Sequence, residues 1–210
     1  MTVALSDFDL NTLPFKTGVT GTVGAEVHVG GGARNPLIAG HANVQEPCWD
    51  SPHTTENLCF SSVVAKGSWN GKRIEVETAT IADDEGPLIS ANGSYQLSNK
   101  ALSARVHVDG LSAPLVNYFV PNPLPIEGEI DIDIEAGGTL MAPEAEGEIK
   151  VHGLEFDVYD LGEGELKINS DGEWATIEGQ LFDLFEIPHI YFSKLLTLLS
   201  SGIQKSMKRR

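Results

Sequence analysis

The chain has 210 residues, enough to bury a sizeable core, and 41% of them are hydrophobic. With 22 Gly, 11 Pro and only 7% aromatics it is rich in turn formers and poor in bulky anchors. Its formal net charge of −16 argues against a nucleic-acid partner, because affinity for phosphate backbones rests on Lys and Arg. Lys205, Lys208, Arg209 and Arg210 close the chain, so residues 1–204 carry 10 basic and 30 acidic groups, a net of −20: an acidic body with a basic tail.

In chain order, Met1 to Asp7 has neither the basic leader nor the apolar core of a signal peptide, as expected of a piece of a longer or anchored protein. Residues Val19 to Val29 alternate apolar and polar side chains, the period of a half-buried strand, and Gly30-Gly31-Gly32 follows as a turn signal. Cys48 and Cys59 enclose ten residues including Pro52, a comfortable disulfide loop in an oxidising compartment. Two reduced thiols fit the spacing as well. A metal set built on Cys48, His53 and Cys59 matches no standard zinc pattern.

The alternation returns in Arg73 to Glu77 and changes phase near Thr78, which predicts a bulge or break. Asn70-Gly71, Asn92-Gly93, Gly137-Gly138 and Asp171-Gly172 are read as turns, and the proline-bracketed run Leu111 to Pro121 as a short helical turn or loop. Leu102 to Asp109, Glu129 to Ala136 and Glu148 to His152 alternate again, the second with every even position apolar and every odd one acidic up to Glu135. Beyond Pro188, Phe192, Leu195, Leu196, Leu199 and Ile203 form one helical stripe ahead of the basic tail. That helix (188–210) reads as a cap on the sheet edge, or as a peripheral contact with an anionic membrane surface. No apolar run is long enough for a spanning helix.

A shift of 107 positions superposes Gly21, Gly30, Gly31, Pro36 and Gly40 on Gly128, Gly137, Gly138, Pro143 and Gly147, and keeps Val23, Ala25 and Val27 in phase with Ile130, Ile132 and Ile134. Two copies, about 13–44 and 120–151, therefore sit within a repetitive unit spanning 1–187, of the kind that grows by stacking along an axis. The expected fold is all-β: an open, repetitive antiparallel sheet curled into an elongated groove, with a short C-terminal helix.

Candidate chemistry is sparse. Six scattered histidines form no His-Glu-x-x-His pair, no Gly-x-Ser-x-Gly elbow is present, and no glycine-rich loop precedes a phosphate-binding Lys. The stripe Glu129, Asp131, Asp133, Glu135 lacks the wrapping loop that calcium needs and reads as a solvated face. No catalytic residue, metal or cofactor is expected. A carbohydrate-binding or hydrolytic protein would need Trp49, Trp69, Trp174 and Tyr95 to line a cleft. The apolar face, with Val23, Ala25, Val27, Ile130, Ile132, Ile134, Ile149 and Val151, can shelter acyl chains at about 0.8 kcal/mol per methylene. The same residues could instead close a structural or adhesion-type β-sandwich or β-solenoid with no lipid ligand.

The ordered series Gly-Ser-Tyr-Gln-Leu (93–97), Val-Asp-Gly-Leu-Ser (108–112), Leu-Pro-Ile-Glu-Gly-Glu-Ile (124–130), Gly137 to Gly147 and Gly153 to Phe156 resembles the repeat region of the TamB and AsmA-like proteins of the bacterial envelope. The resemblance covers residues 93 to about 181, with an echo in 13–44. It implies a groove with an apolar concave face and a polar convex one, in the periplasm, carrying phospholipid chains between membranes or serving outer-membrane assembly with partner assembly proteins. The Cys48–Cys59 insertion, the C-terminal helix and the lack of an N-terminal anchor depart from that pattern.

Overall fold

The computed structural model describes residues 1–12, 18–32, 35–50, 57–118, 120–172 and 174–181. Within them the chain is a succession of strands: β1 (Thr2–Asp9), β2 (Val19–Gly32), β3 (Asn35–Asp50), β4 (Asn57–Cys59), β5 (Ser62–Trp69), β6 (Arg73–Ala82), β7 (Pro87–Gln96), β8 (Leu102–Ser112), β9 (Ile126–Thr139), β10 (Ala142–Phe156), β11 (Tyr159–Asp171) and β12 (Ala175–Leu181). All twelve belong to one antiparallel sheet, ordered along the chain from β1 to β12, with β4 alone standing aside as a short partner of β3. The fold is an open, curled all-β sheet. The proposed C-terminal helix and tail lie outside the described residues.

Each strand follows from its alternation, since residues two apart share a face and one face of each strand is apolar. The pairing keeps those faces together. Every substantial contact between elements joins hydrogen-bonded neighbours or sets a 3-10 turn on its strand, so among the described residues no second layer lies over the sheet. The buried hydrophobic residues reflect this: only Leu58, Val108, Ala113 and Leu161 are buried among the described ones. Val108, Ala113 and Leu161 are 4%, 1% and 5% exposed, and Ala113 opens the 3-10 turn Ala113–Tyr118 that sits against β9. That turn falls in the proline-bracketed run.

The 107-residue shift reappears in the backbone. It carries β2 onto β9 residue for residue, and both Gly31 and Gly138 adopt φ +75° one residue before the strand's last. At Gly40 a Cβ would lie 2.5 Å from the Glu26 carbonyl oxygen. At Gly147 it would press on the Asp133 carbonyl, the residue 107 places on from Glu26. The strands run on through Gly30–Gly32 and Gly137–Gly138: Gly32 pairs with Asn35, and the second turn falls one step later, at Leu140–Met141.

The expected break near Thr78 is a bulge: Lys66 pairs with Thr78 and Gly67 with Val76, leaving Glu77 extra. Asn92-Gly93 is not a turn. Both residues lie inside β7, where Gly93 pairs with Val76 and Ala104 and a Cβ would stand 2.6 Å from the Ser103 carbonyl oxygen. Close backbone approach, rather than chain reversal, requires that glycine.

Candidate functional site

Residues directly opposite one another in an antiparallel pair share a face, so the registers can be followed as rows across the sheet. One row runs Phe8, Val23, Val44, Val63, Ile81, Ile89, Val108, Ile132, Ile149, Leu166, Gly179, one residue from every strand of the path. The next row starts at Leu5 and Ala25, crosses Ala42, Ala65, Ala79 and Ala91, and continues through Val106, Ile134, Gly147 and Ile168 to Ile177. Neither row contains a polar side chain. A third begins at Val3 and Val27 and passes over Gly40, Gly67, Val76, Gly93, Ala104 and Ala136.

The sequence-predicted residues thus share one face but not one spot. Ile132 and Ile149 are direct partners, as are Ile130 and Val151, while Ile134 stands opposite Gly147. Val23, Ala25 and Val27 lie six strand spacings from β9, roughly 29 Å away. All eight are half-buried. The alanine, glycine and valine positions of β3, β5, β6 and β7 were missed because small residues give a weak alternation signal. The cue was present in Ala42–Val44 and in Val63–Ala65, where apolar residues recur two apart.

Across the sheet the other face is polar, with Lys66 against Glu77, His107 against Asp133 and Arg105 against Glu135. A depression of about 780 Å³ over β9–β12 lies on this side, lined by Asp133, Glu135, Glu146, Glu148, Lys167 and Glu178 among others. A smaller one over β1–β3 mixes Ser6, Asp7, Glu26 and His41 with Leu5 and Ala25, and includes Asn43, whose Oδ1 is buried without a hydrogen-bond partner. A twisted sheet is saddle-shaped, so each face is hollow along one diagonal. The polar hollow over β9–β12 suits cations or water rather than hydrocarbon, and among the described residues no three His, Cys, Asp or Glu side chains converge as a metal site.

Four ionic groups on this face are shifted: the hydrogen bond between Lys167 and Glu165 raises the first and lowers the second, and His152 and Asp131 form the other pair. His152 is held above the usual imidazole range by hydrogen bonds to Asp131 and Glu163, and Asp131 is held below the carboxylate range chiefly by the Gly110 N–H, with His152 adding to it. Cys48 and Cys59 are direct cross-strand partners and are joined by a disulfide, which removes the thiol and metal readings. Trp49, Trp69, Trp174 and Tyr95 do not line one cleft. Trp69 and Tyr95 are two strands apart in the row of Ile38 and Ile74, Trp49 pairs with Leu58 beside the disulfide, and Trp174 precedes β12. Comparison of the chain with family models, with curated proteins and with solved structures gave no match.

Proposed function

We propose that this chain is a non-catalytic lipid-binding module that holds phospholipid acyl chains along its apolar face, as part of an envelope lipid-transport or outer-membrane assembly protein similar to the TamB and AsmA-like type. One observation carries the reading: polar-free rows cross all eleven strands of the path, and no second layer of the described chain covers them. A contiguous apolar surface left uncovered across a sheet is the kind of patch that marks an interaction surface. Hydrocarbon is a fitting occupant because the rows offer bulk and no directional hydrogen bond, so a chain can be held without being fixed in place. The Cys48–Cys59 bridge supports an oxidising compartment, and the periplasm is one.

The test is native mass spectrometry of the full chain purified without detergent, followed by incubation with phosphatidylethanolamine/phosphatidylglycerol vesicles. Bound phospholipid is expected on the wild type. It should be lost in Ile132→Asp, on the apolar face, and kept in Thr80→Asp, which lies in the opposite-face row of Val64 and Ser90. A folded wild type that neither retains phospholipid nor takes it from vesicles overturns the proposal and favours a protein partner on that face.

A further inference from the structure

The polar face carries a network that crosses four strands and ends on backbone at both sides. β8 bulges between Val108 and Leu111, where Gly110 has φ +62°, and β10 bulges after His152, where Gly153 has φ +54°. The Gly110 N–H donates to Asp131 Oδ1 at 2.8 Å. The other oxygen of that carboxylate stands 2.9 Å from His152 Nε2, and His152 Nδ1 lies 2.7 Å from Glu163 Oε2. Glu163 Oε1 in turn accepts from the Gly153 N–H at 3.4 Å. A line of polar contacts thus runs from one bulge to the other through a single imidazole.

An imidazole donates through both nitrogens only as the cation. Once neutral, it can serve one carboxylate and must turn a lone pair toward the other, which repels at these distances. The surroundings favour the charged form. Glu129 faces His152 from β9, Glu155 follows it on β10, and Glu165 lies beyond Glu163 on β11. Lys150, the nearest cation, reaches Glu148, and Asp133 is engaged by His107 of β8 at 3.7 Å.

We infer that His152 is a proton-operated clamp: protonated, it ties the β8 and β10 bulges into one unit across β8–β11; neutral, it releases one carboxylate and the bulge held through that carboxylate loosens. The clamped corner lies beside the 3-10 turn Ala113–Tyr118 and the buried Val108, Ala113 and Leu161, so protonation governs the firmness of the most deeply covered part of the sheet. This inference stands whether or not the apolar face takes lipid.

The experiment is NMR on the full chain, following the His152 ring titration together with amide protection factors, corrected for intrinsic exchange, at Gly110 and Gly153 from about pH 5 to about pH 9. Protection at one of the two glycines, the one whose carboxylate is released, should drop roughly three- to tenfold as the His152 ring deprotonates, the factor one net hydrogen bond sustains. The step should vanish in His152→Gln and survive in His107→Gln. Titration of the His152 ring with unchanged protection at both glycines overturns the clamp, as does a step that persists in His152→Gln. The Val106 amide serves as the reference for unchanged global folding.

Discussion

His152 makes stability depend on pH in a direction that its partners fix. Its folded pKa is raised, so the stabilisation it contributes is complete below the unfolded value of 6.5 and fades as pH rises through the higher folded value. Asp131 is depressed, so its contribution is present above 3.8 and fades as pH falls through the lower folded value. Between those limits the pair is fully effective. The ring is 43% exposed, which limits its worth to about 1 kcal/mol or less. The urea midpoint of the wild type should exceed that of His152→Gln at mildly acid pH, with the difference shrinking toward alkaline pH. The disulfide is worth more: closing a loop of sequence separation 11 stabilises by about 3 kcal/mol in the chain-entropy account. Cys48→Ser and Cys59→Ser should each lose about that much in denaturant unfolding, and dithiothreitol should lower the wild type to match. The pairing was within reach of cysteine spacing, which left it open. The imidazole clamp was not, because Asp131, His152 and Glu163 meet only through bulges that no local pattern announces.

At the scale of the element, the β2–β3 and β9–β10 hairpins should both be weakened by the same insult. Gly40→Ala and Gly147→Ala each drive a methyl against the neighbouring strand's carbonyl, at Glu26 and at Asp133. Overpacking of this kind costs about 1–3 kcal/mol, and the loss at Gly147, where a Cβ would also stand 2.7 Å from Ile134 against 3.2 Å from Val27 at Gly40, should be the larger when thermal unfolding of each variant is compared with the wild type. Equal losses would mean that the Ile134 side chain yields to the added methyl at no cost. These hairpins were legible because glycines and alternating apolar residues recur at a fixed shift. β7 was not. Its Ser90, Asn92, Gly93 and Ser94 look like turn chemistry, yet pairing with β6 and β8 on both sides holds them extended.

At the scale of the whole molecule, alternation announces that one face of every strand is apolar, but it is silent on whether that face meets a second sheet. An open sheet and a closed sandwich share the same pattern, and only the uninterrupted neighbour-to-neighbour pairing separates them. Energetics should carry the same signature. Ile134→Ala, on the half-buried face, is expected to cost about 1–2 kcal/mol in urea unfolding, below the 2–5 kcal/mol usual for a core residue, because much of its surface already meets solvent. A core-sized loss would show that something covers the face in solution.

The spacing of the repeat also acts as a ruler. From β2 to the start of β9 the path adds six strands, β2, β3, β5, β6, β7 and β8, over 107 residues, and each strand advances the sheet by about 4.8 Å. One repeat is therefore worth roughly 29 Å of reach, with the same polar-free rows carried forward. Duplicating the unit would lengthen the span while leaving the chemistry of the surface unchanged, so distance in such a protein is set by copy number rather than by any single residue.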